Sequence, residues 1–272
     1  MLYQTLNNGV EMPMLGYGVF QTPPDQTERC VAEALEVGYR LIDTAQAYGN
    51  EEGVGAAVRA SGLPREDVFI TSKIWVSDMT YERATASIEE SLRKLDTDYI
   101  DLMLLHQAMG DYPGAYRAME DAYRAGKLRA IGVSNFLESD LQNILNHCEV
   151  KPAVDQLLAH IGNTPFELAA FCENNDILVE AYSPIAHGEA DKIGAIVKMA
   201  ERYDVSVAQL CIRYVLQLGM VALPKTANLE HMRSNADVDF EISAQDMETL
   251  RDVERISDYG DSSFFPVFGG KL

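Results

Sequence analysis

Eight short apolar runs rich in β-branched residues, each followed by a helix-length amphipathic pattern, are what most narrows the folds open to this chain. They fall near 14–18, 39–43, 68–72, 99–105, 129–133, 153–157, 177–181 and 220–223. Runs such as "YIDLMLL" are apolar on both faces, as parallel strands are when helices cover them outside and side chains fill the space inside. Between them the spacing predicts helices over 80–95, with Ala84, Ile88, Leu92 and Leu95 on one face, and over 206–218, with Leu210, Tyr214 and Val215. Thr164-Pro165-Phe166-Glu167 predicts a helix start with a capping box, and Ser243-Ala244-Gln245-Asp246 another. A hairpin is expected around Asn7, Asn8 and Gly9. Eight strand–helix units in 272 residues fit a (β/α)8 TIM barrel. An open doubly wound sheet would carry G-x-G-x-x-G after its first strand, and "LGYGVFQT" lacks the third glycine. No Pro-, Gly- or Ser-rich linker divides residues 1–272, so one domain is expected.

Charge limits the partners. With 22 Lys+Arg against 42 Asp+Glu the net charge is -20, which repels nucleic acid and anionic membrane. An anionic ligand must therefore be held by a local basic cluster. Cys30, Cys148, Cys172 and Cys211 are scattered, without C-x-x-C or histidines at ligand spacing, so neither a metal site nor a disulfide framework is expected. The first residues lack a basic segment followed by an apolar run, and no stretch nears 18 apolar residues, so a cytoplasmic protein is expected.

In such a barrel, chemistry sits at the C-terminal ends of the strands. There the sequence places Asp43 with Tyr48 just beyond, then Lys73, His106, Ser134-Asn135, Gln156, Tyr182-Ser183 and Lys225-Thr226. Taken singly, each has an ordinary structural explanation. Together, at successive strand ends, they define one site. The glycine-spaced turn in "YRLIDTAQAYGNEEGVG" is not a phosphate loop, because Glu51 and Glu52 in the first turn of the following helix would repel phosphate. Anion binding falls instead to the loops after the seventh and eighth strands, which offer Ser183, Lys225 and Thr226 with Arg233 nearby.

The segments "IDTAQAYGNEEGVG", "SKIW", "LMLLHQ", "IGVSNF", "AYSP" and "LPKTANLEHMRSNADV" follow one another in the order of the aldo-keto reductase family, which the chain resembles from about residue 10 to 257. That resemblance implies an NADPH-dependent reductase of small aldehydes and ketones, acting as a monomer without a Rossmann fold, with NADH a weaker alternative. It maps a catalytic tetrad onto Asp43, Tyr48, Lys73 and His106. Tyr48 would be the proton donor, its pKa lowered by Lys73, which Asp43 would hold in place; a neutral His106 would orient the carbonyl. Ser134, Asn135 and Gln156 resemble the carboxamide contacts, Tyr182 the ring under the nicotinamide, and Ser183 a pyrophosphate contact. Lys225 and Thr226 resemble the grip on the 2'-phosphate, with Asn235 near the adenine.

Three positions depart from the family pattern. His231 stands where an arginine often pairs with the 2'-phosphate, which weakens the expected NADPH preference. Gln107 replaces a frequent aromatic after the catalytic histidine, and Asp155 replaces an asparagine before Gln156. Phe20 and Trp75, with Gln107, Met109 and Tyr112, are expected to line a substrate pocket; Phe264, Phe265 and Phe268 belong to a tail that packs on the barrel or covers the site. Two other readings are open: a nucleotide-binding regulatory subunit of the same fold with little turnover, and a barrel hydrolase using Asp43 as base. The second would need another carboxylate or metal ligands at the strand ends, where the sequence offers a lysine and a histidine.

Overall fold

The computed structural model describes residues 2–264 and 266–268. An antiparallel hairpin of β1 (Tyr3–Thr5) and β2 (Glu11–Pro13) precedes an eight-stranded sheet. The sheet runs in chain order through β3 (Tyr17–Gly18), β4 (Leu41–Asp43), β5 (Phe69–Ile74), β6 (Ile100–Leu105), β7 (Leu128–Ser134), β8 (Val154–Leu158), β9 (Leu178–Tyr182) and β10 (Val221–Leu223). All neighbouring pairs are parallel. The two edges meet through a parallel bridge between Leu15 and Ala222, with Gly18 donating to the Pro224 carbonyl at 3.1 Å, so the sheet closes into a (β/α)8 barrel. The eight expected strands and the hairpin are all present.

Among the described residues there are ten α-helices: α1 (Pro24–Val37), α2 (Glu51–Ala60), α3 (Tyr81–Leu95), α4 (Tyr112–Arg124), α5 (Glu138–Leu145), α6 (Phe166–Asn174), α7 (Gly194–Arg202), α8 (Val207–Gln217), α9 (Leu229–Ala236) and α10 (Ala244–Arg251). Among the described residues no helix is long and apolar enough to cross a membrane. Ser243 caps α10 as expected, its hydroxyl accepting from Asp246 N. The start of α6 is where the sequence predicts it, but Thr164 does not cap it. Its hydroxyl donates instead to the His160 carbonyl at 2.9 Å, because a β-bridge between His160 and Asn163 folds the preceding loop back within reach.

Side-chain alternation separates two cores. Leu41, Phe69, Leu102, Leu104 and Val154 fill the barrel interior together with Met12 and Met14 of the hairpin. Ile42, Ile70, Met103 and Val133 point outward under Val31, Val54 and Ile88 of the helices. The hairpin plugs the end opposite the active strand termini, Asn7 donating to the Pro152 carbonyl and Asn8 to the Arg129 carbonyl, each at 2.9 Å. At that end the buried Asp101 carboxylate takes Arg65 and Arg129, both at 2.7 Å, tying β6 to the strands on either side.

Asp155 also faces outward. Its carboxyl is buried against the helix layer, and neither oxygen has a hydrogen-bond partner. Burial, against a weaker opposing pull from the Phe136 backbone, pushes the group well above the usual carboxylate range. A raised folded-state value makes Asp155 least costly below the unfolded pKa of about 3.9, with stability lost as pH climbs from there through the folded value. Asp155→Asn is expected to raise the melting temperature at neutral pH by about 2–4 °C for each kcal/mol relieved. Thermal melts at several pH values should show the gain fading toward pH about 4.

Candidate active site

The turn after β4 shows how local sequence sets up the site. A three-residue 3-10 turn, Gln46–Tyr48, ends at Gly49, whose φ of 67° lets the chain reverse into α2. The next two glycines serve packing. A Cβ on Gly53 would lie 2.9 Å from Thr27 of α1, and one on Gly55 would run into the Leu95 carbonyl of α3. Glu51 and Glu52 open α2 as expected, but Glu51 is buried and accepts from the Ser72 hydroxyl at 2.6 Å. The turn thus brings Tyr48 over the C-terminal end of β4.

At that end the fully buried Lys73 ammonium reaches both oxygens of Asp43 at 2.7 Å and the Thr44 carbonyl at 2.8 Å. Its three hydrogens are thereby occupied, and the Tyr48 hydroxyl lies at 3.5 Å as a weaker fourth neighbour. Burial works most strongly against the charge on Lys73, yet Asp43, Tyr48 and Glu180 together outweigh it and hold the ammonium pKa above the ordinary value. For Tyr48 the balance differs from the sequence expectation. Burial pushes the phenol up, and Lys73 offsets only part of that rise, since the ammonium is spent mainly on Asp43.

His106 leaves the end of β6 with its ring edge-on to Tyr48, centroids 5.8 Å apart, and to Trp75 at 4.9 Å. Burial, aided by Lys73, pushes its pKa down to about 3, so it is neutral across the physiological range. Its Nδ1 is buried without a partner. A stranded lone pair costs less than a stranded N–H, which puts the proton on Nε2.

A cavity of about 610 Å³ opens above these groups. The expected residues Phe20, Trp75, Gln107, Met109, Ser134, Asn135, Gln156, Tyr182, Ser183 and Lys225 all line it. Tyr112 does not: its ring packs edge-on to Phe136 and its hydroxyl accepts from Asn143, because α4 turns it away from the mouth. Thr226, His231 and Asn235 lie beyond the lining, on the loop and helix that follow Lys225. There His231 is exposed in the first turn of α9, where Asn228 caps the backbone. Phe268 forms part of the cavity wall, packed on His187 and Tyr182, whereas Phe264 is exposed and Phe265 lies outside the described residues.

Hydrogen bonds hold the polar wall rigid. The Tyr182 hydroxyl donates to Asn135 Oδ1 at 2.7 Å, and Asn135 Nδ2 donates to the Ser134 hydroxyl and the His106 carbonyl. Gln156 Nε2 donates to Asp43 at 2.9 Å and to Glu180 at 2.7 Å, which leaves its carbonyl oxygen as the free acceptor. Two ionisable groups at the site, His187 on the cavity wall and Glu180 buried behind it, went unread in the sequence. His187, at the mouth, follows "AYSP" in a loop with positive φ, which no local pattern announces. Glu180 could have been found, being an acidic residue two positions before Tyr182 on the inward face of "LVEAY".

A closed parallel barrel whose strand ends carry a buried lysine–carboxylate pair, a phenol and a neutral imidazole around one cleft defines an enzyme-type site. The model of the Aldo/keto reductase family matches residues 14–255, and the chain belongs to that family of oxidoreductases. It is 43% identical over 248 residues to the glyoxal reductase of Bacillus subtilis, covering 90% of each chain. Among solved structures, an aldo-keto reductase enzyme from a Medee basin deep-sea metagenome library superposes with a TM-score of 0.90 at 37% identity, over 92% of this chain and 94% of that one. An aldo/keto reductase from Brucella melitensis gives 0.89, also at 37% identity, over 92% and 98%.

Proposed function

We propose that this protein reduces small aldehydes and ketones with NADPH and catalyses the reverse oxidation of the alcohols. The observation that carries the reading is the Tyr48 hydroxyl held 3.5 Å from Lys73 Nζ beside a neutral His106 at the floor of the cleft. The polar wall suits a nicotinamide carboxamide: Gln156 presents a free acceptor, with Ser134 and Asn135 beside it and the Tyr182 ring as a flat support. Ser183 and Lys225 would hold the pyrophosphate and the 2'-phosphate side, with Thr226 and Asn235 beyond them. NADPH, when bound, supplies hydride from its nicotinamide ring.

The chain's own groups supply the rest. His106 Nε2–H donates to the carbonyl oxygen and aims it at Tyr48. As hydride reaches the carbon, negative charge grows on that oxygen, and Tyr48 gives it the phenolic proton. Lys73 stabilises the phenolate left behind until solvent returns a proton. Phe20 and Trp75 flank the carbonyl carbon's substituents, and Gln107 makes that side of the pocket polar. Every residue in this scheme comes from one chain, so a monomer suffices.

The test is to follow consumption of NADPH and of NADH with methylglyoxal, glyceraldehyde and a nitrobenzaldehyde. Turnover with NADPH supports the reading; tight cofactor binding with no turnover on any of them would favour the regulatory-subunit alternative. His231→Arg is expected to tighten NADPH binding by about two- to fivefold, the worth of an added charge-assisted contact at an exposed site, with NADH little changed. Fluorescence titration with both cofactors checks this, and equal effects on the two would remove position 231 from 2'-phosphate recognition.

A further inference from the structure

Glu180 takes no part in the scheme above, yet it is fully buried on the inward face of β9, directly beside Gln156 in register. One of its oxygens accepts from Gln156 at 2.7 Å and the other has no partner. The same Gln156 amide nitrogen donates to Asp43 at 2.9 Å. One amide therefore bridges two carboxyl groups, while the single ammonium nearby spends its hydrogens on Asp43 and the Thr44 carbonyl. The groups facing Glu180 are Asp43 from β4, Tyr48 from the turn after it, Lys73 from β5 and Gln156 from β8; its register partner on β10 is the apolar Val221.

We propose that Glu180 is a positioning residue for the reaction: it fixes the Gln156 amide with the carbonyl oxygen toward the cleft, and it must be protonated for Lys73 to act fully on Tyr48. The inference rests on the function proposed above. Two carboxylates against one cation would leave the buried cluster with an unpaired negative charge, whereas one neutral acid balances it. Burial and the nearby Asp43 charge push Glu180 up to about 8 against the lowering pull of Gln156 and Lys73. Once ionised, Glu180 adds to Asp43 in holding the proton on Tyr48, which weakens the phenol as an acid. The Glu180 proton goes to solvent as pH rises and is not passed to substrate.

Glu180→Gln keeps an acceptor for Gln156 and removes the ionisation. The wild-type kcat/KM for carbonyl reduction should fall on the alkaline side with a midpoint near 8, by up to about tenfold one unit above it. In Glu180→Gln that fall should move to higher pH. Glu180→Leu, which removes the acceptor, should raise the cofactor KM by about tenfold with a smaller change in kcat. Melts of the cofactor-free protein give a readout independent of turnover. A raised carboxyl loses stability as pH climbs from the unfolded value of about 4.3 to the folded value, so the advantage of Glu180→Gln should grow over that interval and level off near 8. Superimposable kcat/KM profiles of wild type and Glu180→Gln would overturn the proposal. So would a melting difference that stays constant with pH. Failure of the function reading shows elsewhere, as a wild type that turns over no carbonyl or a Tyr48→Phe variant that retains turnover.

Discussion

Tyr48→Phe should lower carbonyl turnover by about 10²- to 10⁴-fold, the usual worth of a positioned general acid, while NADPH still binds. The substitution is clean because the hydroxyl carries little of the packing. Its contact with Lys73 is long, at 3.5 Å, and the ring is held by Phe20, with centroids 5.1 Å apart. Folding stability should therefore hardly change. Lys73 keeps its three short hydrogen bonds, so the charge beside the vacated hydroxyl persists. Steady-state kinetics, cofactor fluorescence titration and a thermal melt on the same preparation separate the possibilities. Turnover within a few fold of wild type would exclude Tyr48 as the proton donor. Because His106 is held near 3, its protonation cannot produce a limb around neutral pH, and any acid limb found there must come from another group.

Lys73→Met should have the largest effect on the fold as well as on turnover. Asp43 is 4% exposed, and removing its cation leaves a buried carboxylate supported by Gln156. Breaking a buried pair in this way costs about 3–5 kcal/mol. For a chain of this size that lowers the melting temperature by roughly 6–20 °C. Turnover should fall with it, because nothing then stabilises the Tyr48 phenolate. The companion double variant Lys73→Met with Asp43→Asn removes both charges and should recover much of the stability without recovering turnover. A single variant as stable as wild type would show that the pair is not held as tightly as its 2.7 Å contacts imply.

The barrel was legible because its code is local. Most strands from β4 to β10 are short runs whose buried side chains are mainly apolar, and most helices bury one apolar stripe. Asp43, Tyr48, Lys73 and His106, the proposed tetrad, could be grouped for a related reason, since fold geometry forces the ends of successive strands to one rim. What escaped depends on contacts distant in sequence. Thr164 matched a capping pattern, but its hydroxyl accepts from no helix N–H and donates to the His160 carbonyl, in a loop whose path no spacing encodes. The phenol of Tyr48 was expected to be more acidic beside an ammonium; that ammonium's hydrogens were already committed, which becomes visible only once Asp43 and the Thr44 carbonyl are seen around it. Tyr112 lies a few residues past His106, yet α4 begins there and packs its ring on Phe136 instead of the cleft.

Tyr259 hydrogen-bonds the buried His160 at 2.9 Å and packs against Phe268 with tilted rings, centroids 5.1 Å apart. The stretch after α10 is thereby bolted to the loop following β8, and it contributes a face of the cleft without supplying any reacting group. Under the proposed reading, the choice of substrate can therefore drift through changes in that appended stretch while Tyr48 and its buried neighbours stay untouched.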